Sequence, residues 1–179
     1  THSIMVGEIA RQLARWMQLP EPTCQQIQIA GYLHDIGKVY IPLSILEKEG
    51  ELDDEELSQV REHSYMTGEL LSDYSELGDI INSNHHEKMD GSGYPLHLEK
   101  EHLTLADRII SIADIFTALT EDRPYRKGMA WQEALQIMEA DVINGALDSD
   151  VFLVLRHHAE TLHAIILQTL APLHSERRL

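Results

Sequence analysis

Residues 33–38, Leu33-His34-Asp35-Ile36-Gly37-Lys38, close a stretch in which Ile27, Ala30, Leu33 and His34 fall on one helical face. That spacing predicts a helix from about residue 23, broken at Gly37, with His34 turned toward the core. The helix therefore ends on an imidazole beside a carboxylate, both good ligands for zinc, manganese or iron. Lys38, three residues after the aspartate, adds a fixed positive charge for an anion. One His-Asp pair does not make a metal site, so further ligands must come from elsewhere in the chain.

On the N-terminal side, Ile4, Ile9, Leu13, Trp16 and Met17 predict a helix over about 3–19, with His2 at its start and Pro20 and Pro22 closing it. On the C-terminal side, Ile41-Pro42-Leu43 reads as an extended loop, and Asp53 with Glu56 as a capping box opening a third helix. Leu57, Val60, Met66, Leu70 and Tyr74 form its expected apolar stripe, and His63 lies on that stripe, where a polar group needs a partner. A short helix over about 77–84 runs into His85-His86-Glu87 and then into the turn-rich Asp90-Gly91-Ser92-Gly93-Tyr94-Pro95. Thr104 with Asp107 makes a second capping box, and the helix it opens is apolar nearly all round, through Ile109, Ile110, Ile112, Ile115, Phe116 and Leu119. Such a helix is buried, yet Asp114 sits in its middle. Further helices are predicted over about 131–143 and 148–170. No segment alternates as a strand would, so the expectation is all-α, a single-domain helical bundle over residues 1–179.

At 179 residues one domain can bury a core without disulfides, and the single Cys24 can form none internally, which fits a reducing, cytoplasmic setting. No apolar run reaches the roughly 18 residues of a membrane span, and no charged-then-apolar leader opens the chain, so no membrane association is expected of this segment. The helical pattern is already running at Ile4 after Thr1, as in a domain excised from a longer chain with a sensory or receiver region upstream. A formal charge of −16, from 14 Lys+Arg against 30 Asp+Glu, argues against long nucleic acid. A small anion remains admissible if metal ions and a few placed cations compensate locally. The 11 histidines exceed what core filling explains.

The polar residues that the pattern turns inward or places at helix ends are His2, His34, Asp35, His63, His85, His86 and Asp114. Singly, each has an ordinary explanation. Asp114 could pair with Arg108 or Arg123, His63 could be a hydrogen-bonded core histidine, and His85-His86 could be a polar helix end. Jointly, those explanations require separate partners for every group, at about 1 to 3 kcal/mol for each one left unsatisfied. Five imidazoles and two carboxylates exceed the four or so ligands of one zinc and suit two six-coordinate iron or manganese ions, with Asp35 as the natural bridge. Two such ions about 3.5 to 4 Å apart acidify a bridging water and clamp a phosphoryl centre, which is the chemistry of phosphoester hydrolysis.

The succession His2, His34-Asp35-Ile36-Gly37-Lys38, His63, His85-His86-Glu87 with Gly93-Tyr94-Pro95, then Asp114 and Arg123-Pro124-Tyr125-Arg126, resembles the HD-GYP family of bacterial cyclic-dinucleotide phosphodiesterases, within the HD metal-dependent phosphohydrolases. The resemblance spans residues 2 to about 155. His-Asp-Ile-Gly-Lys is shared by the wider superfamily, whereas His85-His86-Glu87 leading into Gly93-Tyr94-Pro95 is specific. It implies hydrolysis of cyclic di-GMP to linear pGpG, and in some members on to GMP, by a metal-bridging hydroxide. The seven residues above would be the metal ligands, with Asp35 also catalytic as the bridge. Lys38 would touch the scissile phosphate, Tyr94 would help hold the substrate, and Arg123 and Arg126 would meet its phosphates. Glu87 could orient a ligand histidine. Ser64 stands where the family usually has proline, and Thr117 where it often has aspartate. Three-metal members carry a glutamate four residues before the first histidine, a position ahead of Thr1, so both two and three ions stay open.

Two alternatives accompany this expectation: another cyclic dinucleotide such as cyclic GMP-AMP as substrate, or a non-catalytic nucleotide- or protein-binding HD module, which would show a broken ligand position. His97, His102, His157, His158, His163 and His174 match no family ligand and read as solvated-face or interface residues. The last helix could pack against a second copy in a homodimer.

Overall fold

The computed structural model describes residues 1–74, 84–122 and 127–176, and among them seven α-helices and no strand, only an isolated bridge between Asp90 and Glu99. The helices are α1 (His2–Trp16), α2 (Glu21–Leu33), α3 (Leu43–Leu46), α4 (Asp54–Leu71), α5 (Leu105–Thr120), α6 (Trp131–Ile143) and α7 (Ser149–Glu176). This is the all-α class expected. The segment Ile41-Pro42-Leu43 is extended only to Pro42, whose backbone is set for the start of the one-turn α3. The helix expected over 77–84 lies outside the described residues except for Asn84, which is not helical, and Arg123 and Arg126 lie outside them as well.

α5 forms because its capping box is complete: the Thr104 hydroxyl accepts from the Asp107 amide while the Asp107 carboxylate accepts from the Thr104 amide. Ten of its residues are buried, Asp114 among them, so α5 is the central rod against which α1, α2, α6 and α7 pack. α1 contributes Met5, Val6, Ile9, Ala10 and Leu13 to the same core. Asp148 caps α7 by accepting from the amides of Asp150 and Val151, and its other oxygen takes Arg108 at 3.1 Å. Arg108 is thereby committed away from Asp114.

Three glycines bring the polar helix ends together. Gly7 and Gly31 let α1 and α2 touch, since a Cβ on Gly31 would lie 2.7 Å from Gly7 Cα. That contact sets the start of α1 beside the end of α2, with the His2 and His34 rings 5.6 Å apart. Beyond α2, the chain tightens into a 3₁₀ turn, Ile36–Tyr40, in which a Cβ on Gly37 would lie 2.1 Å from the His63 carbonyl oxygen. Thr67 locks this approach: its hydroxyl donates to the His34 carbonyl and accepts from the Gly37 amide. α4 is therefore oriented by a backbone contact rather than by apolar area. Its buried face is His63, Ser64, Thr67 and Leu71, one step round from the expected stripe, whose Leu57 and Tyr74 are exposed.

Replacing Gly37 by Ala forces α4 away from the turn. We expect a loss of about 1 to 3 kcal/mol, seen as a lowered thermal or denaturant midpoint. An unchanged midpoint would show that this contact does not position α4.

Candidate metal centre

The structure brings together all seven of the inward-facing residues, in two clusters. His2, His34 and Asp114 form one; Asp35, His63, His85 and His86 form the other; within each, one nitrogen or oxygen per residue lies within 4.8 Å of the rest. Asp35 joins them. Its Oδ2 is 3.3 Å from His34 Nε2, while its Oδ1 is 3.2 Å from His63 Nε2 and 3.7 Å from His85 Nε2. Asp114 Oδ1 sits 3.0 Å from His2 Nε2 and 3.8 Å from His34 Nε2.

The ring tautomers follow from what the outer nitrogens touch. His34 Nδ1 lies 2.7 Å from the Gly31 carbonyl and His63 Nδ1 lies beside the Val60 carbonyl. A carbonyl can only accept, so both Nδ1 atoms carry hydrogen and both Nε2 atoms face the centre, where a neutral ring offers a lone pair. His34 Nε2 and Asp35 Oδ1 are buried there with no hydrogen-bond partner in the protein. Orphaned polar atoms of that kind are costly. Buried imidazole nitrogens and carboxylate oxygens gathered in this way are what a divalent cation satisfies, so the donor set fits metal.

The electrostatics run the same way. Burial, then the nearby imidazoles His86 and His34, push His85 well below the ordinary histidine range, and burial brings His86 down to about 4. Both rings are neutral at pH 7, as ligands must be. Burial opposes ionisation of Asp35, but the His34 and His63 rings beside it and the charge of Lys38 outweigh it and hold the carboxyl well below its usual range. Asp114 is likewise held low, burial being overcome by the His2 hydrogen bond. His2 differs: burial opposes its charge, yet hydrogen bonds to Asp114 and Glu121 raise it to about 9. Its Nδ1 donates to Glu121 Oε2 over 2.9 Å, so a metal taken at Nε2 would displace a proton from a ring already aimed by a carboxylate.

At the rim, Lys38 Nζ pairs with Asp35 Oδ2, and the Tyr94 ring stacks on His86 with centroids 4.7 Å apart and planes at 27°. Glu87 does not orient a histidine. Its two oxygens accept from the amides of Leu96 and Leu98, which ties down the 93–98 loop. Gly93 permits that loop to lie on the 86–88 backbone, since a Cβ there would fall 2.4 Å from the His86 carbonyl. Thr117 bonds back to the Ala113 carbonyl of its own helix. His97, His102, His157 and His163 are exposed, as expected, whereas His158 stacks on Trp16 at 4.1 Å, fastening α7 to α1; the His174 side chain lies outside the described residues.

Two residues escaped the sequence reading. Glu121 lies seven residues beyond Asp114, two turns along the same helical face, and that spacing could have revealed it. Arg61 places its guanidinium over the Tyr94 ring, 5.1 Å from the ring centroid, and no spacing announces it.

A family model described as an HD domain matches residues 1–151. A cyclic di-GMP phosphodiesterase of Pseudomonas aeruginosa is 38% identical over 154 residues, 84% of this chain and 37% of that protein. The 3'3'-cGAMP-specific phosphodiesterase 1 of Vibrio cholerae is 37% identical over 167 residues, 92% of this chain and 38% of that protein. The chain thus spans less than two fifths of the length of these curated relatives. Among solved structures, an HDG"Y"P protein from Bdellovibrio bacteriovorus shares the fold, with a TM-score of 0.70 at 20% identity over 89% of this chain and 51% of that one. With its bundle, its clustered His and Asp side chains and its Gly93-Tyr94-Pro95 loop, the chain belongs to the HD-domain family and is of the HD-GYP type.

Proposed function

We propose that the domain is a metal-dependent phosphodiesterase that hydrolyses cyclic di-GMP to linear pGpG. The observation that carries this reading is the shared carboxylate: Asp35 faces one donor cluster with each oxygen, and at this centre His34 Nε2 and Asp35 Oδ1 are among the buried atoms left unpaired. His2, His34 and Asp114 would hold one ion, His63, His85 and His86 the other, with Asp35 contributing to both. Mixed nitrogen and oxygen donors in that number suit iron or manganese better than a closed zinc site. Bound there, the ions would acidify water and neutralise the charge of a phosphoryl group.

The chain's own residues do the rest. Lys38, partly exposed and leaning on Asp35, turns its ammonium to a phosphate oxygen at the centre. Burial raises the Tyr94 phenol to about 12, so it stays protonated and donates a hydrogen bond to the substrate. Glu87 and Gly93 fix the loop that carries it. Glu121 holds the His2 ring in place. Arg123 and Arg126 meet the phosphates in this reading. A second substrate, 3'3'-cGAMP, is favoured by the Vibrio cholerae relative, which aligns over more of this chain than the cyclic di-GMP enzyme does.

Protein purified without oxygen and supplied with manganese or ferrous iron should convert cyclic di-GMP to pGpG. A metal-loaded protein that leaves cyclic di-GMP intact and cleaves 3'3'-cGAMP would move the assignment to the second substrate, and one that cleaves neither would refute the reading. Lys38→Ala should lower kcat about a hundredfold at unchanged metal content, because it removes a charge facing the reacting phosphate; parallel loss of metal would make Lys38 structural. Glu121→Ala should weaken metal affinity about tenfold to a hundredfold in a competition titration with a chelator, and an unaltered affinity would remove Glu121 from the centre's support.

A further inference from the structure

Arg61 is exposed on α4, two residues before His63, in a chain of net charge −16. Among the described residues, Arg11, Arg15, Lys38, Lys48, Arg108 and Arg156 each sit on a carboxylate. Arg61 has none, and its one contact is the face of Tyr94. A guanidinium resting on a ring with no carboxylate partner keeps its N–H donors, five in a fork geometry that matches a phosphate, for a ligand. The ring on which it rests is fixed in turn, because it is stacked on His86. Tyr94 is therefore engaged by both an imidazole of the centre and Arg61. Arg61 thus reaches the centre through Tyr94 and His86, and Lys38 is bonded to Asp35 of the same centre.

We propose that Arg61 and Lys38 form a two-point clamp that reads two phosphates of one ligand, Lys38 the phosphate at the centre and Arg61 the second. The inference rests on the phosphodiesterase reading above and deepens it. A cyclic dinucleotide carries two phosphodiesters in one ring and engages both points, whereas a simple diester engages one. Arg61 thus selects dinucleotide over single-phosphate ligands and acts in binding, while the bond-breaking groups stay at the centre.

The test compares wild type, Arg61→Ala and Arg61→Lys on cyclic di-GMP and on bis(p-nitrophenyl) phosphate, with the Kd of a phosphorothioate analogue of cyclic di-GMP measured alongside. Arg61→Ala should raise KM for cyclic di-GMP, and the Kd of the analogue, about tenfold or more, as loss of a charge-assisted contact does. Its kcat on cyclic di-GMP and its kcat/KM on the small diester should stay within about twofold of wild type. Arg61→Lys should recover part of the affinity, since it keeps the charge and loses the fork. Unchanged binding in Arg61→Ala overturns the clamp and leaves the phosphodiesterase reading intact. Equal loss on both substrates also overturns it, and makes Arg61 a support for Tyr94. A wild-type protein that cleaves the small diester but neither binds nor cleaves cyclic di-GMP overturns both.

Discussion

A carboxylate taken largely out of water must be compensated, and Asp35 is the carboxylate to which the rest of this molecule answers. Its side chain is 14% exposed, with the ammonium of Lys38 and the His34 ring on one oxygen and the rings of His63 and His85 on the other. Lys38 supplies a single positive charge at the edge. The rings of His34 and His63 also hold the carboxylate ionised, whereas His85 is kept neutral by its burial. A polar cluster of this kind in a small helical core costs stability unless further positive charge completes it. The packing that creates it is deliberate at the level of single atoms: Gly37 admits the His63 backbone, Gly31 admits α1, and Gly93 admits the loop that carries Tyr94.

The two halves of the centre are not equivalent. On the His2 side the protein satisfies itself, with Asp114 and Glu121 accepting from both ring nitrogens of a protonated imidazole. On the Asp35 side it does not. His34 Nε2 and Asp35 Oδ1 stay unpaired, and the Nε2 atoms of His63 and His86 have one another, 3.2 Å apart, for a single hydrogen bond. Cation binding should therefore be driven most strongly where Asp35 meets His63, His85 and His86. The His2 side gains less, since a proton must leave as the metal arrives.

Much of this was legible in the chain. Two capping boxes, at Asp53 and Thr104, opened α4 and α5 where the spacing placed them, because a cap is a local interaction between residues three apart. The seven inward donors were legible too, since each is a polar residue in a position that periodicity turns to the core. What escaped depends on contacts distant in sequence. The α4 face was misjudged by one step because Gly37 and Thr67, thirty residues apart, set its angle. Glu87 was expected at a histidine, but its partners are backbone amides nine and eleven residues on, and backbone donors leave no trace in residue identity. Arg61 meets Tyr94 across a tertiary contact that no helical period encodes.

The central claim is that one carboxylate serves two ions. Metal content per chain, measured by mass spectrometry on wild type and on Asp35→Asn purified alike without oxygen, tests it most directly. The account predicts two or more ions in the wild type and loss of both clusters' ions in the variant, with the helical fold retained by circular dichroism. A folded variant that kept one ion at full occupancy, or a wild type that took up only one, would contradict it.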